Sequence, residues 1–353
     1  MSGATDAPAR RGVGLWLLAI AAMIAVMVVL GGATRVSGSG LSIMEWAPLT
    51  GALPPLSGGE WRRLFALYQQ IPQYHLRHEG MDLAGFKHIF WLEWAHRLWG
   101  RLMGVALFVP LVVFWARGRI SRRLAARLVG IFVLGGLQGA VGWFMVASGF
   151  FPASDAVAPA RLVIHLGLAL VLYAAVLWTA FAELLPDPPG ARAMLARVGA
   201  RATLSLVALT ILAGGFVAGL HAGLDYNTFP LMDGHLVPVG YAKLAPFWRN
   251  MSENIAAVQF DHRLLATLAL GCALATLSAG VWARAALSTL ARGALAALGI
   301  VVLLQFSLGV ATLLLIVPAP LAVAHQAGAV LLLTTALFAV YVLPAPRASK
   351  DVP

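Results

Sequence analysis

The chain of 353 residues is 60% apolar and only 11% charged, with a mean hydropathy of +0.84. A soluble domain of this length could not cover so much apolar surface, which excludes a water-soluble globular protein. The net charge of +11 lies in short stretches between apolar runs, so it marks topology and excludes nucleic acid as the partner.

In chain order, eight runs of about 20 residues are long enough to cross a bilayer. They fall at 14–34, 95–116, 125–147, 160–182, 201–220, 260–282, 290–316 and 321–343. No signal-cleavage site follows the first, which is expected to remain as an anchor. Arg10 and Arg11 precede run one, and Arg117, Arg119, Arg122, Arg123 and Arg127 separate runs two and three. Arg192, Arg197 and Arg201 separate four and five, Arg284 and Arg292 separate six and seven, and Arg347 and Lys350 follow run eight. By the positive-inside rule these ends are cytoplasmic, and so are both termini. The opposite side carries two long segments, roughly 35–90 and 221–256. The first contains two short predicted helices, in GGEWRRLFALYQQ and MDLAGFKHIFWLEW, and a loop of that length is expected to be structured. The single cysteine, Cys272, lies inside run six and reads as a small core residue.

The chain repeats itself. GGATRVSGSGLS (31–42) matches GGFVAGLHAGLD (214–225), His96-Arg97 matches His262-Arg263, and LQGAVG (137–142) matches LQFSLG (304–309). His165 and His325 each follow an Ala-Pro pair, and the four offsets are 183, 166, 167 and 160. Both drops fall across loops on the outer side, the first across the long loop and the second across the connection between runs three and four, and insertions are tolerated in loops. Four runs per half is an even number, so the repeat is parallel rather than inverted. The expected fold is therefore an all-α integral membrane protein of eight transmembrane helices, arranged as two tandem pseudo-symmetric four-helix bundles. The expected division is 1–185, a cytoplasmic linker over 186–200, and 201–353.

His96, His165, His262 and His325 lie near the starts of runs two, four, six and eight, all on the loop-bearing side. Two histidines per half match the two axial imidazoles of a six-coordinate haem iron, twice over. A zinc site lacks a third ligand in either half. Glu93 precedes His96 by three residues and so shares its helix face, where a desolvated carboxyl suits acid–base work. The second half carries Gln259 at this place, which assigns chemistry to the first half and cofactor holding to the second. Arg97 and Arg263 are candidate contacts for haem propionates, with snorkelling to the interface as the alternative. Gln138 and Gln305 read equally as contacts to a porphyrin edge or as glue between helices. His75, His78, His88 and His235 read as loop residues without a role, and most of the eleven tryptophans as an interfacial belt.

Over nearly its whole length the sequence resembles the haem A synthase family. The segments that carry the likeness are GGATRVSGSGLSIMEWAPLTGALPP, IPQYHLRHEGMDLAGFKHIFWLEWAHRLWGR, LQGAVGWFMVASG, HAGLDYNTFPLMDGHLVP and QFDHRLLA. Without the loop cysteine pairs of one branch, it is similar to the proteobacterial and mitochondrial branch. The resemblance implies oxidation of the C8 methyl of haem O to a formyl group, giving haem A, by successive hydroxylations. His96 and His165 then match the ligands of the substrate haem, and His262 and His325 those of a haem b that carries electrons. Glu93 matches the catalytic carboxylate. It also implies a bacterial inner-membrane enzyme with haem sites toward the periplasm, set among membrane lipid, and contact with the farnesyltransferase that makes haem O. A homo-oligomer and a monomer stay open. Two other readings compete: a di-haem b-type membrane electron carrier, and a transporter or assembly factor using the histidines as a proton path.

Overall fold

A computed structural model describes residues 7–345 except 49, 153, 187, 189 and 190. Eleven helices follow in order: α1 (Ala7–Val36), α2 (Gly58–Tyr68), α3 (Pro72–Arg77), α4 (Leu83–Ala116), α5 (Arg122–Ala147), α6 (Pro159–Leu184), α7 (Met194–Gly219), α8 (Asn250–Glu253), α9 (Ile255–Trp282), α10 (Thr289–Leu314) and α11 (Ala319–Val342). Short 3₁₀ turns link them, and among the described residues there is no strand, only one isolated bridge between Met232 and His235. Eight helices are long and apolar enough to span a bilayer, as the eight runs require, and the chain is a multi-pass membrane protein. Arg347 and Lys350 lie outside the described residues.

Local signals set the helix ends. Ser57, Asp82, Ser121 and Ser288 each accept a hydrogen bond from the backbone N–H three residues on, which caps α2, α4, α5 and α10. Asn254 caps α9 by accepting from Ala256 and Ala257. The recurring Ala-Pro pairs open α6 and α11, where proline's missing N–H costs nothing. Two boundaries differ from the expected ones. α7 begins at Met194, inside the segment read as a linker, and α4 begins at Leu83 rather than near 95. The second loop helix predicted in MDLAGFKHIFWLEW is thus the first part of α4. At 34 residues, α4 is about 50 Å long, against roughly 30 Å of hydrocarbon. Its first turns, with Phe86 and Phe90, pack against the first long loop.

By contact density the chain divides into two compact units. Among the described residues, one holds 7–12 and Trp16–Val176, and the other holds Val13–Leu15 and 177–345. In unit two α7 packs on α9, α9 on α10, α10 on α11 and α11 on α7, closing a ring of four helices. The α7–α9 seam is made of small residues. Ala196, Gly199, Ala200 and Thr203 face Ala269, Cys272, Ala273 and Thr276, and Thr203 Oγ1 lies 3.4 Å from both Cys272 Sγ and Thr276 Oγ1. Backbones in a membrane approach where side chains are small, and here Cys272 is one of those fillers.

In unit one bulky residues separate the helices. Trp16 of α1 donates Nε1 to Ala106 O of α4 at 2.9 Å, and Trp99 of α4 donates back to Met23 O at 2.8 Å. The first loop, with α2 and α3, folds onto the outer turns of α4. Its core is Leu41, Trp61, Leu64, Tyr68, Ile71, Phe86, Phe90 and Val146, with Tyr68 and Phe86 wholly buried. Tryptophans 16, 61 and 99 are therefore packing residues rather than members of a belt. Aromatic edges explain the density: Trp61 meets Phe90 edge-on at 4.8 Å, and Phe65 lies 5.2 Å from Phe86.

Candidate functional site

Each unit builds the same arrangement. In unit one His96 comes from α4 and His165 from α6, and the two rings lie within electrostatic range of one another. In unit two His262 comes from α9 and His325 from α11, and they too are within range. All four rings are partly buried and lie in the N-terminal halves of their helices.

Second partners orient these rings. His262 Nδ1 lies 3.0 Å from Thr210 O, a bond in which the imidazole donates and keeps its Nε2 lone pair free for a metal. Gln138 of α5 donates Nε2 to His165 O at 3.1 Å and lies 3.4 Å from His165 Nε2. Gln305 of α10 donates to His325 O at 2.9 Å and lies 3.1 Å from His325 Nδ1. The two glutamines are glue between helices, applied at the histidines. Their Oε1 atoms and His165 Nδ1 are buried without a partner among the described residues. Two imidazoles make a full axial set for a porphyrin iron and too few ligands for zinc. No cluster of three or more His, Cys, Asp or Glu is present among the described residues. The donor sets therefore suit one haem in each unit.

Glu93 is buried at 4% exposure, one turn before His96. Arg97 Nε donates to Glu93 Oε1 at 2.7 Å, while its other nitrogens donate to Ile43 O at 2.7 Å and Glu45 O at 3.0 Å. Unit two repeats this with an amide. Arg263 donates to Gln259 Oε1 at 2.8 Å, Tyr226 O at 2.5 Å and Thr228 O at 2.7 Å. Gln259 Nε2 in turn donates to Ala222 O and Asp225 O, both at 2.6 Å. Both arginines, read as propionate contacts, thus hold the start of a long loop by its carbonyls. This engagement was invisible in the sequence because the acceptors are backbone atoms 35–54 residues away.

The repeat extends into backbone conformation. Gly38 and His221, 183 residues apart, both adopt left-handed φ (68° and 53°), and each opens a 3₁₀ turn, Ser39–Leu41 and Ala222–Leu224. Glu93 Oε2 faces the first of these turns, 4.0 Å from where a Cβ on Gly40 would stand. Outside this turn a cavity of about 180 Å³ is lined by Ile43, Glu45, Phe90, Trp94, Arg97 and Arg101. That is below the ~300 Å³ of a typical small-molecule site.

The remaining histidines are not all idle. His78 Nδ1 lies 2.6 Å from Tyr68 Oη, which donates to Gln73 Oε1 at 3.0 Å, and Gln73 Nε2 donates to Gly38 O at 3.1 Å. This network ties the first loop to the end of α1. His88 is part of α4 rather than a loop, and His75 part of α3.

Residues 14–337 match the family model described as cytochrome oxidase assembly protein. The chain is 59% identical over 339 residues to the haem A synthase of Granulibacter bethesdensis, covering 94% of this chain and 87% of that one. It is 47% identical over 349 residues to the haem A synthase of Rhodospirillum centenum, covering 98% and 92%. With the haem A synthase of Nitrosospira multiformis it shares 46% over 339 residues, covering 93% and 92%. With partly buried imidazoles paired in each unit and identity of this extent, the chain belongs to the haem A synthase family of cytochrome oxidase assembly proteins.

Proposed function

We propose that the protein oxidises the C8 methyl of haem O to a formyl group, yielding haem A for cytochrome c oxidase. Two successive hydroxylations, each a two-electron oxidation of that carbon with the electrons passing to an acceptor outside the chain, produce a geminal diol, which loses water to the aldehyde. The observation that carries the division of labour is the exchange of Glu93 for Gln259 on a repeated scaffold. Unit one binds the substrate haem between His96 and His165, and unit two binds haem b between His262 and His325. Haem b, when bound, supplies a one-electron relay for the electrons that leave the methyl carbon.

Glu93 is the group that holds and moves a proton. Arg97 anchors Oε1 and fixes the carboxyl on the His96 face of α4, leaving Oε2 to exchange a proton at the substrate haem. Burial removes competing water from that carboxyl, and the long first loop over α4 keeps the site closed on its outer side. The arginine-rich turns orient the two tandem bundles with both termini in the cytoplasm, so that the histidine pairs lie toward the periplasmic side of the bacterial inner membrane. Haem O carries a farnesyl tail that holds it in the membrane, and direct transfer from its farnesyltransferase spares that tail an aqueous passage.

The test is extraction of pigment from purified wild-type and Glu93→Gln protein, with each haem identified by chromatography and mass. Haem b with haem O, its alcohol or haem A in the wild type, and loss of the oxidised forms in the variant, supports the reading. Haem b alone in the wild type supports an electron carrier instead, and oxidised product from the variant removes Glu93 from the mechanism.

A further inference from the structure

Each of the four histidine rings lies against a glycine on a neighbouring helix of its own unit. A Cβ added to Gly31 of α1 would stand 3.3 Å from His96 Nε2. One on Gly142 of α5 would stand 2.9 Å from His165 Cε1, one on Gly214 of α7 3.0 Å from His262 Cε1, and one on Gly309 of α10 2.8 Å from His325 Cε1. In the last three the same methyl would also be 3.4 Å from Nδ1. The four positions match across the duplication, 31 with 214 and 142 with 309. Helical glycine as such does not explain them, because alanine is the better helix former. Nor does general crowding, since a Cβ on Gly139 of α5 or Gly271 of α9 would meet nothing within 4 Å.

We propose that Gly31, Gly142, Gly214 and Gly309 are seats for the imidazoles. Each is a positioning residue that lets one ring rest on bare backbone and so determines where its metal-binding nitrogen lies. A methyl in the seat would push the ring edge outward by several tenths of an ångström or turn it off its rotamer. Metal–ligand distances tolerate only about 0.2 Å, so the displaced ring reaches its iron badly or not at all. The seat belongs to a different helix from the ligand, so the two helices must dock before the ligand is aimed. The seats of unit two are the cleaner test, because their proposed ligand is a resident cofactor rather than a substrate.

This inference rests on the haem reading, and the experiment separates the two. Gly214→Ala and Gly309→Ala proteins are purified beside wild type and Gly271→Ala. Haem b per protein, the low-spin bis-imidazole spectrum and the midpoint potential are then measured. Both seat variants are expected to bind haem b about tenfold more weakly or to shift it toward high spin, while Gly271→Ala behaves as wild type. Unaltered spectra and potentials in both seat variants overturn the seats. A wild type with no bis-imidazole haem overturns the haem reading instead. Should Gly309→Ala fold poorly, the same change is made in a His325→Ala background. Without the ring, the added methyl should no longer lower the melting temperature, whereas an equal loss in both backgrounds assigns the glycine to helix packing alone and sinks the proposal.

Discussion

In unit two the turn after α7 is closed by Gln259, whose amide is fully used. Its oxygen accepts from Arg263 and its nitrogen donates to two loop carbonyls. In unit one the corresponding turn after α1 is closed by Glu93, whose Oε1 accepts from Arg97, and Oε2 can donate to a loop carbonyl only when it carries a proton. An amide is the better structural plug for a turn that presents carbonyl oxygens. The carboxyl in unit one therefore gives up loop anchoring, and what it keeps in exchange is the capacity to hold a proton in a dry place. The helix seams differ in the same sense. Unit two closes small-on-small along α7 and α9, while unit one sets tryptophans between α1 and α4 and builds an aromatic cap from its long loop.

The largest break in this comparison is His262→Ala. It should abolish the haem b spectrum of unit two while the protein still inserts and unit one keeps its histidine pair; an unchanged spectrum would overturn the assignment of haem b to that half. Next is Glu93→Gln, which makes unit one resemble unit two. Loss of an acid–base group typically costs about 10²–10⁴ in rate, so haem A formation should fall by at least about a hundredfold. Haem retention and melting temperature should hold, because a Gln Oε1 can accept from Arg97 as Gln259 does from Arg263.

The reciprocal change, Gln259→Glu, sharpens the comparison from the other side. A carboxylate there would face the carbonyls of Ala222 and Asp225 without a donor, at a cost of about 1–3 kcal/mol. Thermal unfolding in detergent should show the loss, and a melting temperature equal to wild type would mean that the turn does not need its amide donor.

The smallest effect is expected in the cap of unit one. Burial beside Tyr68, with the Arg77 charge adding to it, holds His78 below its ordinary 6.5. A histidine kept neutral in the folded loop is protonated more readily when the loop opens, so its contribution is present above about 6.5 and fades as pH falls below that value. Hydrogen exchange at 71–78, corrected for intrinsic rate, should speed up between about pH 7.5 and about pH 5.5, and Tyr68→Phe should flatten that dependence. Equal protection at both pH values would disconnect His78 from the cap.

The sequence by itself determined the eight spans, the duplication, the four histidines and the difference between Glu93 and Gln259. These follow from hydropathy over windows of membrane length and from repeated spacing, both of which are local. Only the tertiary structure decided that α4 begins at Leu83, well ahead of its apolar run, that Arg97 and Arg263 are committed to loop carbonyls, and that Gln138 and Gln305 grip the histidine backbone. It also decided that the repeated glycines lie under imidazole rings, where the sequence showed only matched letters. The physical reason is common to all of these. Each depends on which backbone atom stands across from a side chain, and that is set by how helices distant in sequence pack, not by the residues on either side.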